Sequence, residues 1–591
     1  MPQFHSARTR RRLPKFVNAP RPSVSRAVNE STFAGYGTGL NPQTRSNALS
    51  WCVVVAGLIA AAMAAPTAGV ADQSLGVVAF ANSGSRAAQA DFLTGLALLH
   101  NFQYPQAAAA FQRAESLDPD LAMAYWGEAM THNHPVWQQQ DLLAARAALA
   151  KLAATPEARA AKAPTQREKS YLHAVEILYG EGDKYDRDQR YALAMERLHA
   201  AYPDDVDGTC FYALALLGTA HSGRDVPTYM RAAALMEEAF ELYPQHPGAA
   251  HYLIHSVDDS MHAPLGLRAA RAYSKIAPDS PHAQHMTSHI FLALGMWDEV
   301  VAANEATMRL VNEGRQARTK DSPPIGCAHP ITWLAYGYLQ QGRFADARRL
   351  VEGCYREMRD RPMTAAAGAD ALDYDNTSAG SFSAMRTRYL IDTDDWSGSV
   401  NSLKVDAARV IAAEFTRDFA DAYGALRHGT IDTAVEAVNR AKKSSERFVA
   451  AAIAGGVPAE SAMRRVPMIE QDQLNGLLSL RQDDPARGLA LLSKAAAAER
   501  EIPMEFGPPS LDKPANELLG EVLLDLGRAR EARAAFEAAQ ILAPGRGQSL
   551  IGLSNCARLL HDAELATNVD GRLSKVELRE ALAVRGQHPK R

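Results

Sequence analysis

The motif "HYLIH" at residues 251–255 returns as "HMTSH" at residues 285–289, so a pair of histidines four apart is repeated after 34 residues. Pro244 and Pro278 keep the same interval, and so do His100 and His134. A fixed period of this length constrains the fold strongly. It is enough chain for two short helices and their turns, a unit too small to bury its own apolar face, so copies must stack and share a core. Local patterning agrees: segments such as "RAAALMEEAFELYP" space apolar residues by three and four, and strand-like alternation closed by Asn-Gly or Asp-Gly turns is nearly absent. We expect an all-α stack of helical hairpins, which a chain of 591 residues can accommodate as one elongated array.

Small residues recur on the same ruler. With Pro119 at repeat position 32, Gly95, Ala107 and Ala114 fall at positions 8, 20 and 27 and Phe111 at 24. Residues 513–546 repeat this with Gly520, Gly527, Ala532, Phe536, Ala539 and Pro544, and a further unit carries Ala335, Tyr338, Gly342, Phe344 and Ala347. These units resemble tetratricopeptide repeats, and the stretches "HYLIHSVDD", "HAQHMTSHIFLALGMW" and "FGPPSLDKPANELLGEVLLDLGR" look like exported bacterial proteins of that class, whose activity is unsettled. The resemblance implies a helical-hairpin solenoid, a right-handed superhelix, with a concave groove that can hold a peptide or protein partner. The organisation expected is a leader at 1–71, N-terminal repeats at 72–154, central repeats with the histidines at 155–360, an irregular helical region at 361–504, a C-terminal repeat at 505–561 and a tail at 562–591.

In repeat coordinates His251 and His285 both occupy position 5, His255 and His289 position 9, and His282 and His329 position 2 of their units. Positions 5, 9 and 12 share one helix face, and the resemblance places that face on the groove. Histidines at i and i+4 have Cβ atoms ~5–6 Å apart, and neighbouring helices pack at ~8–10 Å. Four imidazoles, His251, His255, His285 and His289, can thus converge on one transition metal, zinc or copper first, whose ring nitrogens would sit ~2.0–2.1 Å from the ion. Asp258 or Asp259 could ligate or orient a ring, His282 and His262 could close the site, and Met261 or Met286 would favour copper. The competing reading is a scaffold whose histidines hydrogen-bond a partner without metal. His100, His132 and His134 form a sparser candidate set.

Other chemistries find little support. The 63 basic and 67 acidic residues are interspersed with a net charge of −4, so nucleic acid is not expected as a partner. HExxH, GxSxG and Walker motifs are absent beyond the leader. Between Ser46 and Ala71 no side chain is charged, and the core "WCVVVAGLIAAAMAA" follows basic residues, which reads as an export signal to a periplasm. If uncleaved, the segment would anchor the chain to the inner membrane. Cys327 and Cys354 can meet across one hairpin as a disulfide. Residues 566–577, "ATNVDGRLSKVE", resemble an EF-hand loop with Asn568, Asp570, Gly571, Ser574 and Glu577 in liganding register, but Ala566 stands in place of the first carboxylate, which weakens any calcium reading.

Overall fold

The computed structural model describes residues 74–360, 377–404 and 410–573. Within these residues the chain forms 25 α-helices and one scrap of sheet, Asn133–His134 paired antiparallel with Gln139–Gln140. Residues Ala71–Arg591 make one compact unit, in which each helix packs chiefly on its neighbours in sequence. This is the all-α, tetratricopeptide-like hairpin solenoid expected from the period.

The small-residue ruler has a direct steric cause. The Phe111 ring lies between Gly95 and Gly127, where an added Cβ would come within 2.8 and 2.4 Å of it, and Phe536 lies likewise between Gly520 and Gly552, at 2.9 and 2.3 Å. One aromatic ring per unit thus keys two successive hairpins, and a side chain at either glycine would push them apart.

The histidine units begin alike. Helix Pro247–Val257 is capped by His246, whose side chain accepts from the Ala249 N–H, and helix Pro281–Ala293 by Ser280, which accepts from the Ala283 N–H. Both have proline in the first turn, where its missing N–H costs nothing. Each packs against a second helix, Ala263–Ile276 and Trp297–Arg318 respectively. At Gly266 a Cβ would meet Ile290 at 2.6 Å and Val257 at 2.8 Å, so this close approach locks the two units in phase.

The far end of the chain returns to this region. The Trp297 indole donates to the Gly545 carbonyl at 3.0 Å, and buried Arg546 pairs with Asp392 at 2.5 Å and Glu517 at 2.9 Å. The segment 500–514 also lies against the histidine units, with Phe506 on His289 and Gly507 against Trp333.

Three sequence expectations need correction or placing. The stretch "AAAGADALDYDNTSAGSFSAM", residues 365–385, reads as a loop within the irregular region; its part up to 376 lies outside the described residues, but Ser378–Thr393 is a helix. Thr377 caps it by accepting from the Gly380 N–H, and Phe382 and Met385 are buried one turn apart. The EF-hand-like loop is not formed: Ala563–Leu573 is helical, which spreads Asn568, Asp570 and Gly571 around a helix instead of folding them about an ion, while Ser574 and Glu577 lie outside the described residues. The leader, residues 1–71, also lies outside them, and no described helix is long and apolar enough to cross a membrane. The Cys327–Cys354 disulfide is formed, with Cα atoms 4.6 Å apart.

Candidate metal centres

The four lattice histidines are buried on the inner faces of their helices, but they do not share one point. They sort into two triads, and a third set, His255, Asp258 and His289, bridges the two. His251 and His255 group with His282, and His285 and His289 group with His329, with one ligand-type atom per residue all within 4.8 Å in each set. Both triads follow the same recipe: the position 5 and 9 histidines of one unit, both buried, and the half-buried position 2 histidine that opens the next first helix. A tetrahedral ion with bonds of ~2.0–2.1 Å would draw such atoms to about 3.3 Å apart, a small contraction. The triads lie side by side, the His255 and His289 rings being 5.5 Å apart.

Hydrogen bonds on the far side of the rings decide which nitrogen faces inward. His251 Nδ1 lies 2.7 Å from the His100 carbonyl oxygen. A carbonyl only accepts, so Nδ1 carries the proton and Nε2 presents its lone pair. That Nε2 faces His282 Nε2 at 3.1 Å. His285 Nδ1 lies 2.7 Å from Asn304 Oδ1, and the amide's other end is committed, since Asn304 Nδ2 donates to the Val300 carbonyl at 2.8 Å. His285 Nδ1 therefore donates as well, and its buried Nε2 has no hydrogen-bond partner among the described residues. His289 Nδ1 donates to Asp258 Oδ2 at 2.9 Å. Neither nitrogen of His255 is hydrogen-bonded among the described residues, although its Nδ1 lies 3.4 Å from the same Asp258 oxygen. Asp258 thus backs one ring of each triad and is itself held by Arg224 through its other oxygen.

Electrostatics keep His251, His282, His285 and His289 neutral, the form that binds metal. Burial pushes His251, His282 and His285 well below the ordinary histidine value, and neighbouring histidines add to the effect. Burial also brings His289 down to about 4 against the pull of its Asp258 bond. For Asp258, burial opposes charge, but Arg224 and the two histidine contacts win and hold the carboxyl far below its usual range.

Other expected residues fall outside the triads. Asp259 accepts from the backbone of Met261 and His262 and from His262 Nδ1 at 2.8 Å and also meets Arg224, so these residues form a local turn before the Ala263 helix. Met261 is 64% exposed and Met286 is 1% exposed within the apolar core, so neither sulfur supports a preference for copper. His134 stacks on Tyr104 at 4.0 Å, and His100 joins a different cluster with Asp207 and His246.

The walls of the site come from residues far away in sequence. The Phe102 ring lies 4.3 Å from His251 and 5.4 Å from His282, Trp333 lies 4.4 Å from His289 and 4.9 Å from His285, and Phe506 stacks on His289 at 5.1 Å. Phe102 takes the left-handed backbone conformation, φ 53°, a costly one for an aromatic residue. The next residue after Phe506 is Gly507, φ +97°, where a Cβ would strike Trp333 at 2.6 Å, so glycine is needed for the loop to seat.

No family model matches the chain, and no curated protein matches it. Among solved structures it is similar to a human IFIT1 dimer with m7Gppp-AAAA, at 12% identity over 86% of this chain and 91% of that one, with a TM-score of 0.33. Yeast Tom70 aligns at 11% identity over 85% and 99%, TM-score 0.31, and the tetratricopeptide domain of P58(IPK) at 12% over 81% and 99%, TM-score 0.21. These are likenesses of fold alone.

Proposed function

We propose that this protein is a transition-metal-binding helical-repeat protein with two adjacent three-histidine centres, His251/His255/His282 and His285/His289/His329. One observation carries the reading. Buried imidazoles have their outer nitrogens anchored by a carbonyl, an amide and a carboxylate, while inner nitrogens face one another, and those of His255 and His285 are left without protein partners. Anchoring one ring nitrogen so that the other presents its lone pair is how proteins orient histidine ligands. A buried polar atom without a partner costs about 1–3 kcal/mol, so leaving several in one place needs a compensating ligand.

Imidazole suits zinc, copper, iron or nickel, and we take zinc or copper first. Three protein ligands per ion leave a further position for water or substrate, the arrangement of catalytic rather than closed structural sites. Metal-assisted hydrolysis and oxidation are the reaction classes to assay. An exported location is part of the proposal: the Cys327–Cys354 disulfide suits an oxidising compartment, and the uncharged stretch from Ser46 to Ala71 suits a leader.

The test is metal analysis of protein purified without a nickel column, then reconstituted, alongside His251→Ala and His285→Ala variants. Up to two equivalents in the native chain, with one lost in each variant, support the centres. No stoichiometric metal in any preparation would instead favour a scaffold that holds a peptide or protein partner.

A further inference from the structure

The two triads receive their third histidine by different routes. His282 follows His251 by 31 residues, whereas His329 follows His285 by 44. Most of the excess arises because helix Trp297–Arg318 runs for 22 residues where its counterpart Ala263–Ile276 runs for 14, and the rest from a longer linker, 319–328 against 277–280. At 1.5 Å per residue the longer helix carries the chain roughly 12 Å further along its axis. Residues 319–328 must then bring it back to the start of helix His329–Gln340.

That helix start also lacks the device its counterpart uses. Ser280 caps the Pro281 helix through its side chain, but Ala328, in the same place before His329, has no side-chain cap. The end of the long linker is instead fastened to helix Phe344–Asp360, which carries Cys354. Cys327, two residues before His329, is bonded to Cys354. Glu357 Oε2 accepts from the backbone N–H of Gly326 at 2.5 Å and of Cys327 at 3.3 Å. Gly326 also lies against the backbone of Gly353, where a Cβ would meet the carbonyl oxygen at 2.7 Å, so this end of the linker is seated closely on the helix.

We infer that the Cys327–Cys354 disulfide, with the Glu357 clamp, is the positioning device of the second centre: it delivers His329 to His285 and His289. The inference rests on the two-centre reading above. Breaking the bond releases a ten-residue linker, so His329 must be ordered each time an ion binds, and affinity falls at that centre alone. The first centre, whose third ligand arrives through an ordinary capped turn, is unaffected.

The experiment is titration of the full chain with zinc alone against a competing chelating dye, for the native protein, a Cys327→Ala/Cys354→Ala variant, His329→Ala and the triple variant. Native protein should take two equivalents. The cysteine variant should keep one at native affinity and weaken the other by about tenfold or more, in the range seen on losing an outer-shell support. The triple variant should match His329→Ala, because the disulfide acts only through that ring. Retention of the first equivalent reports that the variant is folded. Should the cysteine variant not fold, Glu357→Gln gives the same test, with a smaller loss confined to the second centre. Two unchanged equivalents in the folded cysteine variant, or additive losses in the triple variant, overturn this inference alone. Absence of metal in the native chain overturns the two-centre reading, and this inference with it.

Discussion

Two groups of histidines lie within one ring's reach of each other and are finished in opposite ways. In the His100–Asp207–His246 cluster, His100 Nε2 and His246 Nε2 both donate to Asp207 Oδ1, at 2.9 and 3.2 Å. The remaining nitrogens are taken as well: His100 Nδ1 accepts from the Tyr252 hydroxyl at 3.0 Å and His246 Nδ1 from the Ala249 N–H at 3.3 Å. Protein groups complete both rings, and only Asp207 Oδ2 is left without a partner among the described residues. In the triads the outer nitrogens of His251, His285 and His289 are completed in the same manner, whereas both nitrogens of His255 and the inner one of His285 have no hydrogen-bond partner among the described residues. The His100 carbonyl supports His251, so the closed cluster buttresses the open one. Burial and residue type are alike in the two places; the difference lies in where the second nitrogen of each ring is aimed.

The contrast can be broken at several points. The largest effect is expected from the ligands themselves: His251→Ala and His285→Ala should each remove an equivalent of bound metal, a greater loss than the ~10–100-fold that outer-shell changes cause. His100→Ala should leave the stoichiometry at two. Elemental analysis after dialysis distinguishes these outcomes.

Acid comes next. His100 and His289 are both lowered by burial to about 4, so between that value and about 6.5 the unfolded chain binds more protons than the folded one. Stability is therefore full above about pH 6.5 and is lost as pH falls toward 4, by about 2 kcal/mol per such histidine at pH 5. Denaturant midpoints of the metal-free protein at pH 7 and pH 5 check this. Added zinc should raise the midpoint at pH 7 in the native protein but not in a His251→Ala/His285→Ala variant.

Asp207→Asn should lower stability by about 3 kcal/mol, since two buried donors lose a charged acceptor, while metal stoichiometry stays unchanged. Asp258→Asn should lower metal affinity as well as stability, because it also removes the charge that pairs with buried Arg224. It supports His289 directly and lies beside His255, so affinity should fall ~10–100-fold, more at the second centre than the first. Dye competition resolves the two binding steps.

Much of this arrangement was legible from periodicity. The phase of His251 and His285 and of His255 and His289 follows from the 34-residue ruler, and His282 and His329 take position 2 of their own units, because each first helix starts at or next to the same repeat position. The grouping into triads was not legible, since it depends on how closely successive first helices approach on their inner side. Nor could the ruler reveal Phe102, Arg224 or Phe506, which arrive from distant parts of the chain, or Asn304 and Trp333, which share an element or hairpin with a triad histidine but whose contacts depend on helix packing. Asp258 and Asp259 are adjacent and chemically alike; only the turn geometry sends one to the rings and the other to its own backbone. The tail shows the converse error, in which liganding register alone suggested a loop where helical propensity prevails.

Each triad borrows its last histidine from the following hairpin. A bound ion would therefore act as a rivet between units already joined by apolar packing and a few hydrogen bonds such as Tyr338 to Glu305, and two ions would rivet three units in a row. In an array governed by nearest-neighbour contacts, such fastening stiffens the middle turns of the coil and leaves bending to its ends.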